Sequence, residues 1–497
     1  MASSNRGAIN DPEDRDPRTG SAPMTRRSFL GATGGALALG AVGPSVLRPR
    51  YAPQPPDSRH LRHPGSFPDP HRAPGTPDPA IPIDHIVIVM QENHSFDEYF
   101  GMLARQGQKL ADGFTFDLDG HPINSNPLAN GATQAVFHRE GQCPGGSAGQ
   151  SWDSTHLEIN HGRMDGFAAI DTGAMGYFDQ SDIPFYYSLA KTFTLANRWF
   201  SSAPCQTYPN RRFLYAGTAY GNISTSTSSF SQPPPAGGTI IDQLVKYGLS
   251  WRDYVTDLPD TAIIPSNLER YPYDYTDISQ FYVDAALGTL PAVSYVDSDG
   301  GAVGIAESPL ASYLSSAPFP LPGFINTNLQ RLGDSGGDEE GDDVRIGEAF
   351  VSRVVRAVMN GPAWHSTLLI WLYDEHGGYY DHVPVPTAIA PDDIPPGLAP
   401  GDYPGGYDMY GPRVPAVVVS PWSRPHAVTN VVHDHTSILA MIERKWNLPA
   451  LTYRDANAAD LTDFLDFDRL SFPTAPTLAL PGAVDLRSCP GPADPPG

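Results

Sequence analysis

Positive charge and cysteine are both scarce in this chain. Its 497 residues include 32 lysines and arginines against 55 aspartates and glutamates, a formal net charge of −23, and only 3 cysteines. The acidic excess argues against a nucleic-acid partner and against broad adhesion to anionic membranes, because phosphate groups would be repelled. It leaves room for transient contact with a membrane surface. A site that handles phosphate on such a chain therefore requires a local cation.

The three cysteines, Cys143, Cys205 and Cys489, allow at most one disulfide and leave one thiol over. The sequence does not select the pair, and no spacing resembles a zinc site. Cys205 is expected to be a small buried residue. A long apolar run is also missing, because the stretch GATGGALALGAV is too short and too weakly apolar to span a membrane permanently.

Glycine and proline are abundant instead, with 48 and 52 residues, which is typical of long ordered loops around a regular core. Near the N-terminus the residues TRRSFL form a twin-arginine signal in front of the apolar stretch. We therefore expect export by the twin-arginine machinery to a secreted or cell-envelope location; whether the signal is cleaved or retained stays open. The predicted organisation is a signal region at 1–46, a Pro-rich linker at 47–80, a folded domain at 81–467 and a Pro-rich C-terminal tail at 468–497.

Two apolar runs end in adjacent oxygen-bearing side chains. In IDHIVIVMQENHSFDEYFG the run reaches Glu92 and Asn93, and in STLLIWLYDEHGGYYDHV it reaches Asp374 and Glu375. Dense Ile, Val and Leu runs predict strands buried on both faces, as in a parallel sheet with helices on each side. Ligands of such sheets bind at the carboxyl ends of the strands, so the pattern predicts an α/β fold that presents metal ligands.

A polar loop turns into a helix between these strands, in FSSAPCQTYPNRRFLYAGT. Pro209 fits an early helical position, which places Thr207 at the helix N-terminus. Free backbone N–H groups and the helix dipole there favour a bound phosphate and ease ionisation of a hydroxyl. The alternative is that Thr207 is only a helix cap, contributing about 1 kcal/mol and no chemistry.

The ordered motifs QEN, TYPNR, YDEHGGYYDHV, GPRVPAVVVSPW and HDHTSILAMIE, spread over residues 83–446, resemble the bacterial phosphoesterase family of phospholipases C and a related acid phosphatase. The resemblance implies an alkaline-phosphatase-like α/β fold, with a central, mostly parallel sheet flanked by helices. It also implies that residues 81–467 are a phosphoesterase catalytic domain, which cleaves phosphoesters with one bound metal and a Ser or Thr nucleophile.

Matched by position, the resemblance implies that Glu92, Asn93, Asp374 and Glu375 bind the metal and that Thr207 is the nucleophile and also touches it. Oxygen donors of this kind suit one hard or borderline divalent cation, whose identity the sequence does not give. Such a cation would also resolve the charge problem of an acidic chain that handles phosphate.

Further polar residues lie at motif positions. Asn210 and Arg211 are expected to hold nonbridging phosphate oxygens, although Arg211 alternatively pairs with a surface carboxylate. His156, His382 and His435 are candidate proton shuttles, and His156 is favoured as the donor to the leaving alkoxide. For each histidine an orienting or surface role is the alternative.

One departure from the family motifs affects the predicted substrate. Family members carry an acidic-His-Pro motif before the helix that begins DVRIGEAF, and this chain has GDSGGDEEG there. Either another histidine substitutes or the substrate differs from the usual one.

The run TYPNR also has the C/S-x-P-x-R spacing of sulfatases. Oxidation of Thr207 would give a ketone, not the formylglycine aldehyde, so threonine favours direct attack on phosphorus. Asp297, which ends PAVSYVD, is either an orienting residue or an ordinary strand end.

The sequence thus predicts an exported, metal-dependent phospholipase C that hydrolyses phosphatidylcholine-type phosphodiesters through a phosphothreonine intermediate. One alternative is an acid phosphatase acting on small phosphomonoesters. The other is a secreted, non-catalytic binding protein on the same scaffold.

Overall fold

The computed structural model describes residues 61–143, 149–233, 235–297, 309–330 and 343–483, which belong to one compact unit. The predicted signal region at 1–46 lies outside the described residues. So does the stretch 331–342, which stands where the family has its acidic-His-Pro motif. Among the described residues, no helix combines the length and apolar character needed to cross a bilayer.

The sequence alternates strands and helices, as a parallel sheet requires. The strands are β1 His85–Gln91, β2 Ser125–Pro127, β3 Thr133–Ala135, β4 Phe137–His138, β5 Gly176–Tyr177, β6 Thr194–Ala196, β7 Trp251–Val255, β8 Tyr275–Asp277, β9 Val293–Asp297, β10 Thr367–Tyr373, β11 Ala416–Val419 and β12 Val428–Thr429. The α-helices are α1 Phe96–Phe100, α2 Trp152–Ile159, α3 Phe167–Ile170, α4 Pro184–Thr192, α5 Thr207–Ala216, α6 Ile240–Lys246, α7 Pro265–Arg270, α8 Ile278–Leu287, α9 Pro309–Ser315, α10 Gly323–Gln330, α11 Val344–Asn360, α12 Thr436–Trp446 and α13 Tyr453–Asn457.

An eight-stranded sheet forms the centre, in the order β12-β6-β11-β10-β1-β9-β7-β8. Strand β11 runs antiparallel to both neighbours, and the other pairings in this sheet are parallel. Every residue of β10 is buried, so both faces of the sheet are covered there. Helix α11 contacts both α4 and α8, and helix α5 contacts both α6 and α12. The predicted α/β class, with a mostly parallel sheet flanked by helices, is confirmed.

The apolar pattern explains why the central strands lie where they do. Strand β1 presents Ile86, Val87, Ile88 and Val89 to the core, each at most 1% exposed. Helix α11 buries Val351, among other valines, against the same core. Branched apolar side chains on successive strand positions can be accommodated only between two covering layers, and this holds β1 and β10 at the middle of the sheet.

Residues 61–80, part of the predicted linker, form turns but no helix or strand. They lie on the domain near the end of α12. Asn447 holds them: its amide donates to the carbonyls of Asp69 (2.9 Å) and Arg72 (2.6 Å), and its Oδ1 accepts from Asp69 N (2.9 Å). This part of the predicted linker is therefore packed on the domain and is not a free spacer.

The described part of the predicted C-terminal tail also follows the domain surface. Trp364 Nε1 donates to the Phe472 carbonyl at 2.9 Å, and Gly482 N donates to Glu348 Oε2 at 3.0 Å. Cys143 takes part in a disulfide, and Cys205 is a free, buried thiol, as expected from the sequence. Cys489 lies outside the described residues.

Replacing Asn447 tests whether residues 61–80 contribute to the fold. Asn447 is fully buried and has φ of 47°, so Asn447→Gly keeps the left-handed backbone accessible while it removes the three hydrogen bonds. We expect the free energy of unfolding, measured by urea denaturation, to fall by about 2 to 4 kcal/mol. Asn360→Ala, at an exposed helix end, is the control. A loss no greater than that of the control would contradict a structural role for residues 61–80.

Candidate active site

Parallel register brings the two predicted acidic pairs together. Strands β1 and β10 are adjacent, with Gln91 opposite Tyr373, so both chains leave the sheet at the same edge. Asp374 N donates to the Gln91 carbonyl at 3.0 Å, and Asn93 N donates to Asp374 Oδ1 at 3.3 Å. Residues separated by more than 270 positions in the chain therefore share one site, as strand-end geometry predicts.

The close approach of the two loops depends on a glycine. Gly377 has φ of 63°, and a Cβ built there would lie 2.1 Å from the Asn93 carbonyl oxygen. Asn93 itself has φ of 71°, a left-handed conformation that asparagine tolerates better than most residues. A glycine at position 377 is thus required for the loops to meet this closely.

Helix α5 brings Thr207 to the same edge. The helix begins at Thr207, after an extended Gln206, and all ten of its residues are buried. The Thr207 hydroxyl donates to Asn93 Oδ1 at 3.2 Å. Its hydroxyl therefore lies at the positive end of a helix dipole and in contact with a predicted metal ligand. The prediction that Thr207 starts a helix agrees with the structure, and its chemical role stays a prediction.

Asn210 supports this loop from within. It is fully buried, its amide donates to the Cys205 carbonyl at 2.7 Å, and its Oδ1 accepts from Ala203 N at 3.0 Å. These hydrogen bonds fix the loop in front of Thr207, and the contact of Asn210 with phosphate stays a prediction.

Arg211 lies one helical turn after Thr207 and pairs with three carboxylates. Its Nε donates to Asp374 Oδ2 at 2.9 Å, its Nη2 lies 2.9 Å from Glu92 Oε1, and its Nη1 pairs with Asp260. The side chain is 2% exposed. Arg211 therefore does pair with carboxylates, as one alternative held, but these are buried or half-buried groups at the strand ends and not surface carboxylates.

Negative charge is concentrated in a buried place. Burial raises the pKa of Asp374, partly offset by Arg211 and reinforced by Glu92. Burial and the neighbouring Asp374 raise the pKa of Glu375 well above its usual range. Glu375 Oε2 accepts from Gly377 N at 2.8 Å, and Glu375 Oε1 is buried without a hydrogen-bond partner. A buried carboxylate oxygen left in this state is a suitable ligand for a cation.

The four strand-end residues and Thr207 supply the donor set that the sequence predicts for one hard or borderline divalent ion. Three groups among the described residues bring His, Asp or Glu ligand atoms within 4.8 Å of one another, and the predicted set is not one of them; they are Asp97 with Asp381 and His382, Asp117 with Asp119 and His121, and His138 with Asp179 and Asp182. In the first group, Arg413 already pairs with Asp97 at 3.1 Å and with Asp381 at 2.9 Å.

Of the three predicted proton shuttles, His435 reaches the cluster directly. Its Nε2 donates to the Asp374 carbonyl at 2.6 Å, and Trp199 Nε1 donates to its Nδ1 at 3.4 Å. Burial lowers the pKa of His435. With both ring nitrogens engaged, the ring is a neutral support for the Asp374 backbone.

His156 and His382 lie in other surroundings. His156 Nδ1 donates to the Trp152 carbonyl at 2.7 Å, its ring stacks on Tyr403, and burial lowers its pKa. His382 Nδ1 lies 2.6 Å from Asp97 Oδ2, and its Nε2 lies 3.6 Å from Asp112 Oδ1. Burial disfavours the charged ring of His382, but these carboxylates outweigh it and raise its pKa to about 9.

Sequence reasoning missed Asp260 and His376. Asp260 follows β7, and Asp297 ends β9, so both lie at the carboxyl edge where the strand-end rule finds ligands. His376 follows Glu375 directly; its Nε2 lies 2.8 Å from Glu158 Oε2 and its Nδ1 lies 3.1 Å from Glu375 Oε2. Applying the same rule to β7 would have found Asp260. Nothing in the local sequence indicates the contact between His376 and Glu158.

The charge state of His382 makes a prediction about stability. The folded pKa of about 9 exceeds the ordinary value of 6.5, so its contribution is complete below about pH 6.5 and is lost as the pH rises through about 9. We expect wild type to exceed His382→Gln in free energy of unfolding by about 3 kcal/mol at pH 6, with the gap closing toward pH 10. Urea denaturation across this range measures it. The exposed His365→Gln is the control, and a gap that does not change with pH would show that folding leaves the pKa of His382 at its ordinary value.

The model of the phosphoesterase family matches residues 83–449. Non-specific phospholipase C6 of Arabidopsis thaliana is 29% identical over 448 residues, which cover 84% of this chain and 78% of the plant protein. Phospholipase C B of Mycobacterium tuberculosis is 27% identical over 533 residues, with 94% of this chain and 90% of that protein covered.

Among solved structures, a protein in the alkaline phosphatase superfamily from Vibrio parahaemolyticus is 11% identical, with 72% of this chain and 77% of that chain covered and a TM-score of 0.27. The family match spans most of the chain, including both acidic strand ends and the helix that Thr207 begins. The chain therefore belongs to the phosphoesterase family, as an enzyme that hydrolyses phosphoric esters.

Proposed function

We propose that the protein is an exported, metal-dependent phospholipase C that hydrolyses phosphatidylcholine-type phosphodiesters through a phosphothreonine intermediate. The observation that carries the proposal is the contact of Thr207 Oγ1 with Asn93 Oδ1 at 3.2 Å, at the edge where both acidic strand ends meet. The relatives named phospholipase C support the choice of substrate.

Glu92, Asn93, Asp374 and Glu375 would hold the divalent cation, with Thr207 beside it. The unpartnered Oε1 of Glu375 supports this assignment, because a buried carboxylate oxygen is otherwise costly. When bound, the cation would supply Lewis-acid stabilisation and lower the pKa of a nearby hydroxyl. The concentration of carboxylates in the site offers it a strongly favourable electrostatic environment.

Thr207 would act as the nucleophile. Its Oγ1 attacks phosphorus in line, the bond from phosphorus to the diacylglycerol oxygen breaks, and diacylglycerol leaves after taking up one proton. Water then attacks the phosphothreonine, the bond between phosphorus and Oγ1 breaks, and the phosphorylated head group is released while Thr207 regains its proton. The N-terminus of α5 orients backbone N–H groups toward the negative charge that both steps carry.

Arg211 would contribute a fixed positive charge. It follows Thr207 by four residues on α5, so both side chains project from the same face of the helix. Its guanidinium stays charged under all working conditions. A phosphoryl group carried on Thr207 would thus lie on the side of the helix from which this cation projects.

Hydrolysis assays with the purified protein test the proposal. We expect phosphatidylcholine to be cleaved in preference to a simple phosphomonoester, and a chelator to abolish the activity. Thr207→Ala should reduce turnover by at least about a thousandfold, since it removes the nucleophile, without lowering the unfolding temperature. Thr289→Ala, a matched deletion of a hydroxyl in the loop that precedes β9, at the sheet edge opposite the site, should leave turnover unchanged.

The remaining outcomes would each change the assignment. Preference for the monoester would favour the acid phosphatase alternative. Activity that survives exhaustive chelation would contradict metal dependence, and wild-type turnover by Thr207→Ala would exclude it as the nucleophile.

A further inference from the structure

Arg211 binds two kinds of carboxylate. Two of its partners, Glu92 and Asp374, are proposed metal ligands, and the third, Asp260, belongs to a separate turn after β7. One buried guanidinium charge therefore faces one buried and two half-buried carboxylates. A divalent cation and Arg211 would compete for Glu92 and Asp374, so the position of the guanidinium affects how strongly the site attracts metal.

Two buried acids, Asp253 and Asp297, hold the turn that carries Asp260. Asp260 N donates to Asp297 Oδ2 at 2.8 Å, and the hydroxyl of the next residue, Thr261, donates to Asp253 Oδ2 at 2.6 Å. Asp253 and Asp297 are buried on neighbouring strands β7 and β9 and share a hydrogen bond. Two carboxyl groups this close retain a proton between them, and burial raises the pKa of Asp297 to about 7. The turn that carries Asp260 is thus attached at two points to the sheet.

Asp260 binds a different nitrogen of Arg211 from the two proposed metal ligands. It pairs with Nη1, while Nη2 faces Glu92 and Nε faces Asp374. Its side chain is 21% exposed, close to the 19% of Glu92, whereas the Asp374 side chain is fully buried. Asp260 therefore balances the charge of Arg211 and leaves Glu92 and Asp374 available to a metal ion.

We propose that Asp260 is a positioning residue that anchors Arg211 as a fixed cation beside the metal site and prevents it from neutralising Glu92 and Asp374. This role rests on the proposed metal-dependent function. Without the Asp260 carboxylate, the whole guanidinium charge would fall on Glu92 and Asp374, and the site would lose one negative charge as well. Both changes weaken the attraction for a divalent cation.

Calorimetric titration of the full chain with Mn²⁺, and separately with Zn²⁺ and Ca²⁺, measures the effect without any substrate. Asp260→Asn should weaken the tightest of these affinities by about tenfold. Asp260→Glu, which keeps the charge, should recover most of the loss. Asp393→Asn, which removes one negative charge from an exposed loop, should bind as wild type does. Thermal unfolding verifies that each variant is folded.

Arg211→Gln provides the decisive background. The single variant should bind the metal at least as tightly as wild type, because the competing cation is gone. In this background Asp260→Asn should change the affinity by less than about threefold, since its partner is absent. Any of three results would overturn the role of Asp260: wild-type metal affinity in Asp260→Asn, an equal loss of metal affinity in both backgrounds, or weaker metal binding by Arg211→Gln alone. A wild-type chain that binds none of the three ions would instead contradict the metal-dependent function, and with it this role.

Discussion

The structure depends on how buried negative charge is compensated. Glu92, Asp374 and Glu375 lie together at the carboxyl edge of the sheet, and Arg211 pairs with two of them, Glu92 and Asp374. Carboxylates cannot stay ionised in such a place without cations or hydrogen-bond donors. The buried helix that carries Arg211, the glycine that lets two loops meet, and the histidine that supports Asp374 all serve this arrangement.

Much of this centre could be predicted from the sequence. Dense apolar runs identify β1 and β10 as central strands, and the rule that ligands bind at strand ends then places the two acidic pairs at one edge. Pro209 in the third position of α5 correctly indicates that the helix starts at Thr207. These predictions succeed because each depends on local patterning and on a general property of parallel sheets.

The remaining assignments depend on contacts between distant segments. His156, His382 and His435 look equivalent in sequence, yet their ring nitrogens face a helix carbonyl, two carboxylates and a strand-end carbonyl respectively. The role of Arg211 likewise depends on Asp260, which comes from another strand end. Residues 61–80 have no periodicity that would reveal their packing, because they are held by side-chain bonds from Asn447 to their backbone.

In the proposed mechanism Thr207 carries the phosphoryl group during turnover. Mass spectrometry of peptides from enzyme quenched in acid within milliseconds of mixing with a phosphodiester substrate tests this step. We expect a phosphate on Thr207 that appears during turnover, is absent before mixing, and disappears as substrate is exhausted. A phosphate on any other residue, or turnover with no covalent phosphate under conditions that slow hydrolysis of the intermediate, would contradict it.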